Sequence, residues 1–87
     1  MIVEDEPAIA DLVGVYLKNE NYEVHTFHLG RSALASLKDI SYDLAILDVM
    51  LPDMDGFSIC QRIREIYFFP IIMLTAKVED IDKVTGL

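Results

Sequence analysis

Four residues of this chain have types that could do chemistry at corresponding places: Glu4, Asp5, Asp48 and Thr75. Each follows an apolar run that reads as a strand, so each falls at a strand's carboxyl end. Carboxylates packed together repel and raise one another's pKa unless a cation lies among them. Such a cluster is a hard-cation site. Mg²⁺ suits it, because Mg²⁺ takes one or two carboxylates, keeps waters and accepts phosphate oxygens. A carboxylate beside such an ion can attack a phosphoryl group and become an aspartyl phosphate, while the ion neutralises charge on the transferring group. Thr75 would add a hydroxyl for a phosphoryl oxygen. Each residue also has a plainer explanation: Asp5 as a helix cap, Asp48 as a turn former, Thr75 as an ordinary strand residue. The four together, each at a strand end, are a more specific signal than any one.

The elements that must position these groups can be followed along the chain. The organising stretch spans residues 43–53: Leu44-Ala45-Ile46-Leu47 is an unbroken apolar run that stops at Asp48. A run of this kind is a strand covered on both faces, as in a parallel sheet. Pro52, Asp53, Asp55 and Gly56 then mark a turn. Before it, Met1-Ile2-Val3 is the tail of a first strand, with Glu4-Asp5-Glu6 at its end. Pro7 fits a first helical position. Ile9, Leu12, Val13, Tyr16 and Leu17 predict one apolar helix face, ended by residues 19–21. Acids at the start of that helix suit its dipole, which is the favoured account of Glu6.

Residues 22–27 alternate and predict a second strand near an edge. Ala33, Leu34, Leu37 and Ile40 predict a short second helix after Gly30 and Ser32. Phe57, Ile59, Cys60, Ile63 and Ile66 predict a third helix after Gly56, stopped by Pro70. Ile71-Ile72-Met73-Leu74 predicts a fourth strand ending at Thr75, and residues 78–87 predict a fourth helix, with Ile81 and Val84 on one side and Gly86 as its cap. The alternation is β-α-β-α-β-α-β-α. Right-handed crossovers then give an α/β fold with a parallel sheet and helices on both faces. If the second and third strands flank the first, Glu4, Asp5 and Asp48 converge in one crevice at the switch point.

Composition bounds the function. Eighty-seven residues make one small domain. With 15 acids against 7 bases the net charge is −8, which argues against binding a nucleic-acid backbone or an anionic membrane. The 53% hydrophobic content is that of a globular core. Cys60 is the single cysteine, so no internal disulfide forms and a reducing cytoplasm is expected. No apolar run reaches membrane-spanning length, and the first residues do not resemble a signal peptide.

Three motifs, Ile2-Val3-Glu4-Asp5-Glu6, residues 43–56 from Asp43 to Gly56, and Pro70-Ile71-Ile72-Met73-Leu74-Thr75-Ala76, together resemble the receiver domain of two-component response regulators. The flavour is that of the winged-helix transcription-factor (OmpR/PhoB) class, most like VanR-type regulators. The resemblance covers the whole chain. It implies a flavodoxin-like three-layer fold with sheet order 2-1-3-4. It implies that Asp48 accepts a phosphoryl group from a sensor histidine kinase. Asp5 and Asp48 would bind Mg²⁺ through their side chains, Met50 through its backbone carbonyl and Glu4 through a water. Thr75 would be the switch hydroxyl, Pro52 and Gly56 would shape the loop after Asp48, and small Ala76 would leave the phosphoryl group accessible. Such a domain assists its own phosphoryl transfer and hydrolysis without being a conventional enzyme. In the full-length protein it would control transcription through a DNA-binding domain.

The sequence departs from the family at both ends. The first strand is short, and the chain ends at Leu87 without the family's fifth strand, fifth helix and phosphoryl-pairing lysine; Lys77 and Lys83 lie in the wrong place. A receiver incomplete at its C-terminus is therefore expected, with no output domain in this chain. Its exposed fourth strand favours pairing or swapping with a second copy. His25 and His28 lack a third ligand and suit strand-end packing better than a metal. Cys60 reads as a small hydrophobe, and Phe68-Phe69 as the lead-in to a buried strand. An aspartate-nucleophile phosphatase would place a second acid two residues after Asp48, where Met50 stands. The remaining alternative is a receiver-like interaction module that is never phosphorylated.

Overall fold

The computed structural model describes residues 1–74; Thr75, Ala76 and the expected helix over 78–87 lie outside the described residues. Four strands alternate with three helices: β1 (Ile2–Val3), α1 (Pro7–Asn19), β2 (Thr26–Phe27), α2 (Gly30–Ser36), β3 (Ala45–Asp48), α3 (Gly56–Arg64) and β4 (Ile71–Leu74). The strands form one sheet in the order β2-β1-β3-β4, every pair parallel. β1 is central: Ile2 sits opposite Thr26 on one side and Ile46 on the other, and Val3 sits opposite Phe27 and Leu47. The order reverses between β1 and β3, so their carboxyl ends face one crevice.

The two sheet faces are covered by different means. Val3, Ala45 and Leu47 pack with Ala33 of α2 and Ile59 and Ile63 of α3, all 0% exposed. Each such Leu or Ile contributes about 1.5–3 kcal/mol by leaving water. On the opposite face, Ile2 meets α1 across small residues. A Cβ on Gly14 would lie 4.0 Å from Ile2 Cδ1 and 3.9 Å from Val24 Cγ1, ordinary packing distances.

This geometry corrects several sequence expectations. The buried residues of α1 are Ala10 and Gly14, with Ile9, Val13 and Leu17 half-buried, whereas Leu12 is 57% and Tyr16 67% exposed. A helix that approaches a sheet closely does so on its small residues. On α3 the predicted face holds for Ile59, Cys60 and Ile63, while Phe57 is exposed and Ile66, also exposed, lies beyond the helix's end at Arg64. The second strand shrinks from residues 22–27 to Thr26 and Phe27, the two residues that pair with Ile2 and Val3 of β1. α2 stops at Ser36, so Leu37 and Ile40 lie beyond it.

The helix ends follow local chemistry. Pro7 starts α1, its fixed φ already helical. Asn21 closes it at φ 68°, with N–H bonds from Asn21 to Lys18 O (3.0 Å) and from Tyr22 to Leu17 O (3.0 Å), the Schellman pattern. Asp55 caps α3, its carboxylate accepting from the Ser58 N–H at 2.8 Å and the Ser58 hydroxyl at 2.9 Å.

Candidate functional site

The last rung of each central strand sets the site. Val3 is level with Leu47, so the next residues, Glu4 and Asp48, lie side by side. The Glu4 N–H donates to Phe27 O at 2.9 Å, which extends the ladder to that acid. Asp48 is level with Leu74 at the end of β4, and the Val49 N–H donates to Leu74 O at 3.1 Å. Glu4, Asp5 and Asp48 each offer a carboxylate oxygen, and the three oxygens lie within 4.8 Å of one another. The structure thus brings together the three acids singled out in the sequence.

Their surroundings differ. Asp5 is exposed, Asp48 is 8% exposed and Glu4 only 1%. Glu4 Oε2 accepts the backbone N–H of Glu6 at 3.1 Å, while the Glu6 side chain, exposed at the N-cap of α1, makes no capping bond. Among the described residues, the buried Glu4 Oε1 has no hydrogen-bond partner. Burial pushes the Glu4 carboxyl from its ordinary 4.5 up to about 7; the Glu6 N–H pulls it back, and the Asp48 and Asp5 carboxyls push it further up. A buried oxygen without a donor, beside two further carboxylates, is a site that lacks positive charge. Hard oxygen donors of this kind fit Mg²⁺.

The loop after Asp48 is held closely. The Met50 N–H donates to Asp48 Oδ1 at 3.3 Å, and the Gly56 N–H donates to Val49 O at 2.8 Å. Met50 and Asp55 form an antiparallel bridge across the loop. A side chain at Gly56 would strike the Asp48 carbonyl, so only glycine lets α3 begin this close to the acid. Pro52 lies exposed in the same loop.

Two residues treated as minor in the sequence touch the site's frame. His28 Nδ1 donates to the Glu4 carbonyl at 2.8 Å. Asp53 accepts the Gly30 N–H at 2.8 Å and the Arg31 N–H at 2.9 Å. Neither contact has a sequence signature, because the partners are far apart in the chain. Asp55 did have one, as an Asp three residues before Ser58.

A parallel sheet reversing between β1 and β3, with an acidic crevice at that reversal, is the flavodoxin-like α/β architecture, which binds its ligands at the switch point. The chain belongs to the response regulator receiver domain family, whose family model matches residues 1–87. It is 55% identical to the regulatory protein VanRc of Enterococcus gallinarum and 53% identical to the regulatory protein VanR of Enterococcus faecium; each comparison covers 100% of this chain and 38% of the relative. The chain thus spans less than half the length of these curated relatives. Among solved structures, the BeF3-activated receiver domain of RstA from Klebsiella pneumoniae is 30% identical with a TM-score of 0.82, over 98% of this chain and 73% of that one. The response regulator TrrA from Thermotoga maritima, in complex with Mg²⁺ and BeF, is 34% identical with a TM-score of 0.81, over 98% of this chain and 75% of that one. Among the described residues, no helix is long and apolar enough to cross a membrane.

Proposed function

We propose that this chain is a phosphorylatable switch in which Asp48 accepts a phosphoryl group from a sensor histidine kinase in the cytoplasm. The observation that carries the reading is the convergence of Glu4, Asp5 and Asp48 at the ends of β1 and β3, in a chain matched throughout by the receiver family. Asp5 and Asp48 would hold Mg²⁺ through their carboxylates and Met50 through its carbonyl, with Glu4 acting through a water. A bound Mg²⁺ supplies charge neutralisation to a phosphoryl group and to the crowded acids.

The chain's own residues do the rest. An Asp48 carboxylate oxygen attacks the phosphorus; the new P–O bond forms as the P–N bond to the kinase histidine breaks, and the imidazole nitrogen leaves with the bonding pair. With acetyl phosphate as donor, acetate leaves instead. The Met50 N–H bonded to Asp48 Oδ1 helps orient the carboxylate. Glu4, buried and short of a donor, draws cationic partners to the pocket. Thr75 would then offer its hydroxyl to the phosphoryl oxygen, so that the new charge favours one of two arrangements of the chain around it. In the longer protein this would control a DNA-binding domain that regulates transcription, as the regulatory relatives suggest.

The test is an intact-mass measurement after incubation with Mg²⁺ and acetyl phosphate, beside Asp48→Asn. The expected result is a gain of one phosphoryl group that needs Mg²⁺ and is lost in the variant. No gain in the wild-type chain would leave the interaction-module reading standing.

A further inference from the structure

Asp53 sits in the loop after the acceptor, yet its carboxylate works on a different element. Both of its short bonds reach back 22 and 23 residues, to the first N–H groups of α2: Oδ1 to Gly30 N at 2.8 Å and Oδ2 to Arg31 N at 2.9 Å. The Arg31 guanidinium adds only a loose contact, Nε to Oδ2 at 3.4 Å, from a side chain 79% exposed against 10% for Asp53. The neighbouring Met54 fills the space beside Gly30: a Cβ there would come within 2.5 Å of Met54 Cγ and 2.8 Å of Ile59 Cδ1. The start of α2 and the tip of the loop are therefore locked by charge-assisted bonds and by packing.

The same turn is tied to the other side of the pocket. His28, two residues before Gly30, donates to the carbonyl of Glu4 at 2.8 Å. Residues 28–31 thus bridge the end of β1, which carries Glu4 and Asp5, and the loop over 49–56, which carries Met50. The Met50 peptide is in turn bonded to Asp48 Oδ1, and at 3.3 Å that bond is long enough to be lost on a small shift of the loop.

We propose that Asp53 is a positioning residue for this site. By pinning the loop tip to α2 it fixes the Met50 carbonyl and the Asp48 carboxylate relative to Glu4 and Asp5. The inference rests on the metal-dependent phosphoryl-acceptor reading above and adds a residue to it. Asp53 itself touches neither metal nor phosphoryl group; it acts through the loop.

The test compares Asp53→Ala, Asp53→Asn and Arg31→Ala with wild type in the full chain. Mg²⁺ dissociation constants are measured by calorimetry at a temperature where circular dichroism shows each variant folded. Phosphoryl gain from acetyl phosphate is timed at saturating Mg²⁺. Asp53→Ala is expected to weaken Mg²⁺ binding roughly tenfold, the size typical of residues that support metal ligands, and to slow phosphoryl gain at saturating Mg²⁺. Asp53→Asn, which keeps one acceptor oxygen, shows a smaller loss in both. Arg31→Ala stays within about twofold, since an exposed ion pair contributes little. A folded Asp53→Ala chain with wild-type Mg²⁺ affinity and rate overturns the proposal, even if it melts earlier, because a purely structural role would lower only the melting point. If the alanine variant does not fold, unchanged Mg²⁺ affinity in Asp53→Asn overturns it. A wild-type chain that binds no Mg²⁺ brings down both readings; a wild-type chain that binds it, with insensitive variants, brings down this one alone.

Discussion

The acids at the carboxyl end of the sheet fall into two groups that are alike in type and opposite in circumstance. Asp53 and Asp55 sit in the loop over 49–56, and each carboxylate receives two donors. The Arg31 and Gly30 N–H groups hold Asp53 below the usual carboxylate range, and the Ser58 N–H and hydroxyl do the same for Asp55. Glu4, Asp5 and Asp48 share one crevice, and Glu4 keeps a buried oxygen with no donor among the described residues. The first group is complete within the protein and serves its architecture. The second leaves a buried carboxyl oxygen unmet among the described residues, which a cation, or a proton on Glu4, would satisfy.

The comparison can be broken most strongly by supplying the missing charge. Mg²⁺ at a hundredfold excess over its dissociation constant should stabilise the chain by about 2.7 kcal/mol if it binds only the folded state. For a domain of this size that is a rise of roughly 10–20 °C in the thermal midpoint, read by circular dichroism. EDTA should reverse it, and Asp5→Asn should shrink it. A midpoint that ignores Mg²⁺ would place the pocket acids in the same class as Asp53 and Asp55.

Acidity sharpens the contrast at intermediate size. In metal-free buffer, Glu4 holds its proton more tightly folded, at about 7, than at its ordinary 4.5. Its contribution to stability is therefore fully present below 4.5 and is lost as pH rises through about 7. The midpoint should fall by roughly 10 °C between about pH 5 and about pH 8, and Glu4→Gln should flatten that slope. Asp53 and Asp55 carry the opposite sign: their depressed values make folding more favourable above the ordinary 3.8, and the benefit is lost as pH falls below it.

The smallest expected effect belongs to the cap. Asp55→Ala removes both bonds to Ser58 and should lower the midpoint by a few degrees, leaving Mg²⁺ affinity near wild type. Comparable losses of affinity in Asp55→Ala and Asp5→Asn would erase the division between the two groups.

Much of this was legible in the sequence, for identifiable reasons. The run from Ala45 to Asp48 is apolar because a central parallel strand is buried on both faces, so its carboxylate had to emerge at the end. Pro7 announces a helix start through its fixed φ, whereas Asp55, read in the sequence as a turn residue, caps α3 through its carboxylate. What escaped depends on partners distant in the chain. The alternation over residues 22–27 is real, but among the described residues this edge strand pairs only with β1, and only at Thr26 and Phe27. Leu12 and Tyr16 have the right spacing for a core face, yet Ala10 and Gly14 allow the closest approach and take it. The bonds from Asp53 to Gly30 and Arg31, and from His28 to Glu4, join segments whose meeting only the fold decides.

The central position of β1 has a consequence for how the sheet comes together. Its two residues take their partners from Thr26 and Phe27 on one side and from Ile46 and Leu47 on the other. Neither side can form until the intervening chain has closed its loops, and such non-local pairings are the slow part of assembly. Glu4 meets Asp48 only when that insertion is complete. The acidic crevice therefore depends on long-range pairing and on neither strand alone.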